Sequence, residues 1–153
     1  MSRPVVTLTT DFGLMDGYVG TMKGVILGIC PDVVLVDISH DVEPQRVQQA
    51  AYILSSATPY FPQGTVHLVV VDPGVGGTRR AVVVETERAA YIAPDNGVLS
   101  MLLGDDPQAS AYHLADPRYR LPRVSNTFHG RDIFAPAAAH LSCGIAAQAL
   151  GHP

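Results

Sequence analysis

Residues 4–38 read PVVTLTTDFGLMDGYVGTMKGVILGICPDVVLVDI, and the fold turns on this stretch. Its opening, residues 4–9 (PVVTLT), is dominated by β-branched side chains and reads as a buried strand. Residues 16–29 (DGYVGTMKGVILGI) read as a helix. Asp16 suits its N-cap, Tyr18, Met22, Val25, Ile26 and Ile29 share one face, and Pro31 ends it. Residues 33–38 (VVLVDI) are apolar again and read as a second strand. A strand–helix–strand unit of this length joins two parallel strands by a right-handed crossover.

Outward from there the alternation continues. Residues 44–57 predict a second helix, with Pro44 in its first turn and Val47, Ala50, Ala51 and Leu54 facing inward. Residues 65–71 (TVHLVVV) predict a third strand. Residues 81–86 and 89–93 predict a hairpin with Glu87 and Arg88 at its turn. A short helix is expected near 97–103, then a less regular stretch over 105–126. A last helix is expected over 132–142, which Pro136 kinks or whose true start it marks. The order predicts an α/β fold: a mostly parallel sheet with helices on both faces, a Rossmann-like three-layer sandwich. The strands are continuous apolar runs, as strands buried on both faces should be.

The chain has 153 residues, enough for one domain. At 47% hydrophobic and 16% charged it has the apolar material for a core, which excludes wholesale disorder. Net charge is −4 and the ten Lys and Arg residues are scattered, so neither nucleic acid nor an anionic membrane is an expected partner. The apolar runs are shorter than a membrane span. Asp11 interrupts any signal-peptide apolar region, so a cytoplasmic protein is expected. Cys30 and Cys143 lie far apart without CxxC spacing, and two buried free thiols are expected.

The polar residues gather where the strands end. The first strand runs into Asp11-Phe12-Gly13, the second into Asp37-Ile38-Ser39-His40-Asp41, the third into Asp72-Pro73-Gly74-Val75-Gly76-Gly77, and the second hairpin strand into Pro94-Asp95-Asn96-Gly97. Taken singly, each is a turn. Four carboxylate-bearing loops at one end of a parallel sheet point to a ligand site. The Gly-rich loop at 74–77 has neither the Lys-Ser/Thr of a phosphate loop nor the third glycine of a dinucleotide fingerprint. Asp72 and Arg79 stand at the two ends of that loop, where they can form a structural salt bridge or hold each other ionised for chemistry. His129, just before the last helix, could pack there or orient a small nucleophile. His40 is a weaker candidate, and His67, His113, His140 and His152 read as structural. No GxSxG elbow supports a Ser-His-Asp hydrolase. Asp11, Asp72 and His129 could ligate a metal, but no HxH, HExxH or DxD spacing accompanies them.

These residues lie in recognisable segments: TTDFGLMDGYVGTMKGVI (9–26), CPDVVLVDISHDV (30–42), VVVDPGVGGTRR (69–80), APDNGVLS (93–100) and NTFHGRDIFAPAAAHL (126–141). Together, and in this order, they resemble the S-adenosyl-L-methionine hydroxide adenosyltransferase family, related to the adenosyl fluorinase and chlorinase. The resemblance implies cleavage of S-adenosyl-L-methionine by water to adenosine and L-methionine, with that molecule as substrate and no cofactor. It assigns catalysis to Asp72, Arg79 and His129, ribose binding to Asp11, and pocket lining to Thr127 and Phe128. The halogenating relatives lack an aspartate at position 72 and a histidine at position 129, which favours water over halide. The resemblance also implies a homotrimer, with each site completed by a β-rich C-terminal domain of a neighbouring subunit. Residues 1–153 correspond to the N-terminal catalytic domain alone, so weak or absent turnover by this chain by itself is expected. Two other readings stand beside this one: a non-catalytic adenosyl-ligand binding or assembly module, and a metal-dependent hydrolase.

Overall fold

Strands β1 (Val5–Thr10), β2 (Val34–Ser39), β3 (Thr65–Val70), β4 (Ala81–Glu85), β5 (Ala89–Pro94) and β6 (Ser110–His113) form one sheet, ordered β2-β1-β3-β5-β4-β6. The computed structural model describes residues 3–77, 79–99, 103–104 and 108–151. β1 is parallel to β2 and β3, and β3 to β5, whereas β4 runs antiparallel to β5 and β6. The sheet is therefore mixed: its parallel half carries the crossovers and the hairpin adds an antiparallel edge. The carboxyl ends of β1, β2, β3 and β5 share one rim, as the strand–helix alternation requires.

Helices α1 (Tyr18–Ile29) and α3 (Ala135–Ser142) cover one face, and α2 (Val47–Ala57) covers the other. The pleat of β3 divides its side chains accordingly. Leu68 and Val70 join Met22, Ile26, Phe134 and Ala138 in one core, while Val69 and the following Val71 join Ala50 and Leu54 in the other. Every residue of β3 is buried, as a central parallel strand demands. Each fully buried Leu or Ile contributes about 1.5–3 kcal/mol here.

Three boundaries differ from expectation, each for a local reason. Helix α1 starts at Tyr18 with Gly17 as N-cap, yet the Asp16 carboxylate still accepts the Tyr18 N–H at 3.0 Å. Helix α2 starts at Val47 rather than Pro44, because Gln45 adopts a left-handed φ of 64° that no helix tolerates. The last helix enters through a π-type turn, Gly130–Phe134, closed by the Ala135 N–H on the Gly130 carbonyl. Pro136 marks the true start of α3. Lacking an N–H, it cannot bond the Asp132 carbonyl, which instead accepts from Leu121 at 3.0 Å. Within the stretch expected to be irregular, β6 adds an exposed edge strand. Of the short helix expected near 97–103, residues 100–102 lie outside those described.

The expected free thiols are paired. Cys30 caps α1, Cys143 caps α3, and the two helices pack side by side so that the Cα atoms lie 5.8 Å apart, bridged as a disulfide. Sequence separation (113 residues) hid a spatial neighbourhood made by the helix pair. Closing a loop of that size restricts the unfolded chain by up to about 4–5 kcal/mol in the chain-entropy account.

His67 is structural, as expected. It is 1% exposed, its Nδ1 meets the Thr7 hydroxyl at 2.7 Å, and Tyr91 stacks on it at 5.1 Å. Burial lowers its pKa from 6.5 to about 4. Between those values the unfolded chain binds a proton that the folded chain refuses, so stability falls as pH drops from 6.5 to 4 and levels off below. The loss attributable to this group is about 3 kcal/mol. Urea titrations at pH 7 and pH 4.5 should show a drop that His67→Asn reduces; an equal drop in both proteins would contradict it.

Candidate active site

The site is built on the rim where the parallel strands end. β1 delivers Asp11 one residue past its end, and β3 delivers Asp72 two residues past its own. From Asp72 the chain makes a tight double turn, with Val75 N–H on the Asp72 carbonyl at 3.2 Å and Gly77 N–H on the Gly74 carbonyl at 2.9 Å. Gly76 has φ +78°, and a Cβ built on it would lie 2.5 Å from the Asn126 carbonyl oxygen. Only a glycine lets this loop seat so closely on the segment leading to His129. A Cβ on Gly74 would lie 3.1 Å from Cγ of Arg79, whose stem folds back across the turn. The glycines expected to make only a turn thus fit the Asp72–Arg79 loop to residues 125–129.

Spacing left the Asp72–Arg79 pair open between a plain salt bridge and something more. Nε of Arg79 donates to both carboxylate oxygens of Asp72, at 2.9 and 3.1 Å, and Nη2 donates to Oδ2 as well. The same Nη2 contacts Nδ1 of His129 at 2.7 Å. Because a guanidinium only donates, Nδ1 must offer its lone pair, which puts the ring proton on Nε2. Burial and the Arg79 charge lower the His129 pKa, against upward pulls from a hydrogen bond with the Ser125 backbone and from Asp72 and Asp132. The ring is therefore neutral at pH 7. The Asp72 and Arg79 side chains are 5% and 12% exposed, and Arg79 lies over the buried Phe134 ring, 5.5 Å from its centroid. Two charges this deep are held by bidentate geometry, and removing either strands the other.

Beside the trio lies a cavity of about 270 Å³ whose wall includes Asp11, Tyr18, Gln45, Val75, Asp72 and Thr127. Asp11, Asp72 and Thr127 thus share one space. Phe128 stands outside the wall, 42% exposed, with its ring 5.3 Å from Tyr18 and under the Arg131 guanidinium at 5.0 Å. Arg79 and His129 are not among the lining residues. The trio therefore presents Asp72 to the cavity and keeps the other two to hold it. Of the four strand-end carboxylates expected to converge, Asp37 and Asp95 do not line the cavity: Asp37 pairs with Lys23 at 2.7 Å, and Asp95 is exposed. The wall also includes residues that the sequence does not mark as a site, Tyr18 and Gln45 among them. Tyr18 belongs to the apolar face of α1, yet its hydroxyl accepts the Arg131 N–H at 3.2 Å. Gln45 falls within the expected second helix. A larger groove of about 590 Å³ lies at the other end of the sheet, around the exposed Glu85, Glu87 and Arg88 of the hairpin turn.

Among known families, the model of the SAM hydroxide adenosyltransferase N-terminal domain matches residues 6–151. The chain belongs to this family. Two curated relatives in the adenosyltransferase family are named (R)-S-adenosyl-L-methionine hydrolase. The one from Thermus thermophilus is 46% identical, over 97% of this chain and 60% of the relative. The one from Salinispora arenicola is 42% identical, over 94% of this chain and 55% of the relative. A fluorinase from Nocardia brasiliensis is 29% identical, over 97% of this chain and 57% of its own length. A crystal structure of a conserved protein from Thermotoga maritima superposes with a TM-score of 0.91 at 43% identity, covering 96% of this chain and 57% of the other. The chain thus spans little more than half the length of the relatives it matches.

Proposed function

We propose that the protein carrying this chain hydrolyses S-adenosyl-L-methionine to adenosine and L-methionine, with water attacking in line at the ribose 5′ carbon. One observation carries the reading: Arg79 joins Asp72 to His129, and Asp72 faces the cavity that also holds Asp11. The sulfonium needs little help, because it departs as a neutral thioether and needs no general acid. Water is the poor partner, with a bulk pKa of about 15.7. In the proposed step the water oxygen bonds to C5′ while the C5′–S bond breaks. The electron pair goes to sulfur, and the water's proton goes to Asp72. Arg79 fixes that carboxylate from behind, and His129 fixes Arg79. Asp11 grips the ribose 2′ and 3′ hydroxyls, setting C5′ against the water. Positioning of this kind can supply about 7–11 kcal/mol of the barrier. The family resemblance also supports a homotrimer.

The test is product analysis with the full-length gene product. Equal amounts of adenosine and methionine are expected, from the sulfur epimer that the relatives' names specify, and at a rate that chelation leaves unchanged. Ligand binding without turnover would favour the binding module, and chelator-sensitive turnover the metal-dependent hydrolase. In the same assay, the lowered His129 pKa places the acid limb of kcat below pH 6.5, because the ring must be neutral to receive Arg79. Half-loss at or above pH 6.5 would contradict this wiring.

A further inference from the structure

A chain of polar contacts runs from α1 to the loop that carries Asp11. Lys23 donates to Asp37 at 2.7 Å, and Nε2 of His40 meets the other Asp37 oxygen at 2.8 Å. Nδ1 of His40 meets the Thr10 hydroxyl at 2.7 Å, and that oxygen accepts the Phe12 N–H at 3.3 Å. Burial pushes the Asp37 carboxyl up, but the hydrogen bonds from Lys23 and His40 outweigh it and hold Asp37 below its usual range. A charged carboxylate at Asp37 accepts a hydrogen bond from Nε2–H, so Nδ1 accepts one from the Thr10 hydroxyl and the Thr10 oxygen accepts the Phe12 N–H. His40 and Thr10 are 4% and 0% exposed, so few water contacts compete with this order.

Two backbone bonds tie the same segments. Gly13 N–H donates to the His40 carbonyl at 2.8 Å, and Gln45 N–H donates to Oδ2 of Asp11 at 2.6 Å. Gln45 is the sole non-glycine with positive φ among the described residues, and it stands in the cavity wall. A left-handed non-glycine residue is strained and persists where its surroundings impose it. Here it aims an N–H at the Asp11 carboxylate.

We infer that Thr10 and His40, together with the Gln45 N–H, are positioning residues that preset the Asp11 carboxylate for a vicinal diol and so make the site selective for ribonucleosides over deoxyribonucleosides. The inference rests on the ribose role proposed for Asp11. A strap of merely structural value would lower stability without touching discrimination at the sugar.

The experiment compares adenosine and 2′,3′-dideoxyadenosine binding by calorimetry in the full-length gene product and in three variants. Hydrogen bonds to a charged group make the wild-type preference for adenosine about tenfold or more. Asp11→Asn should erase most of it. Thr10→Val removes the hydroxyl with little change of shape; it should shrink the preference by at least half on a logarithmic scale and leave dideoxyadenosine affinity unchanged. Thr10→Ser should restore the preference. A Thr10→Val protein that keeps the full preference, or that weakens both ligands equally, overturns the inference while Asp11 keeps its role. A wild type with no preference, or a preference that survives Asp11→Asn, overturns the ribose reading and the inference with it.

Discussion

Replacing Asp72 by Asn in the full-length gene product should lower the proposed adenosine formation by about 10²–10⁴-fold, the range for losing a positioned proton acceptor. The amide still accepts a hydrogen bond from Arg79, so the loop keeps its partner, but it can no longer take a proton from water. Adenosine affinity should stay close to wild type, because Asp11 rather than Asp72 is assigned to the sugar. The substitution leaves the Arg79 charge, 12% exposed, without its counter-ion. Some loss of stability accompanies it. Circular dichroism melts show that loss separately, and turnover is compared well below the variant's melting temperature. An Asp72→Asn protein that forms adenosine at more than about a tenth of the wild-type rate would remove Asp72 from the chemistry.

Gly76→Ala is the second large effect, and it acts through shape alone. The new Cβ would meet the Asn126 carbonyl oxygen at 2.5 Å, on a residue already at φ +78°. The left-handed backbone costs about 1–2 kcal/mol by itself. The clash is additional, and backbone cannot swing aside as a side-chain tip would. Either the 72–79 loop or the segment before His129 must move, which pulls Arg79 away from Nδ1. Misplacement of about 1 Å can cost 10²-fold in rate. Gly64→Ala is the matched control: φ is +88° there, with nothing within 4 Å of the added Cβ. It should lose the backbone increment of stability and keep full activity. If both variants lose stability equally and both stay active, the loop does not set the trio's geometry.

The layout of the fold was legible because the parallel strands announce themselves. Runs such as 68–71 (LVVV) are continuously apolar and rich in β-branched residues, the pattern of a strand buried on both faces. What escaped depends on partners distant in sequence. β6 is half-exposed and carries no apolar signature, so it exists as a strand only because β4 offers it an edge. The π-type turn at 130–134 forms beside Leu121, which takes the carbonyl that Pro136 cannot use. The Cys30–Cys143 pair depends on how α1 packs against α3. At the site, Asp72, Arg79, His129 and Asp11 stood out as strand-end and loop residues. Their wiring did not, because nothing in spacing says that one guanidinium nitrogen will serve both a carboxylate and an imidazole. Gln45 gave no sign at all: its left-handed backbone is visible only once the loop wraps round Asp11. Asp95 misled, since its strand end lies on the right rim but points its carboxylate into solvent.

In the proposed reaction a water poised beside Asp72 attacks the 5′ carbon. Running the reaction of the full-length gene product in H₂¹⁸O and reading the released adenosine by mass spectrometry measures that attack directly. One ¹⁸O is expected at the 5′ position of adenosine, with methionine unlabelled. Adenosine without the label, or a product in which the C5′–S bond survives, would contradict it.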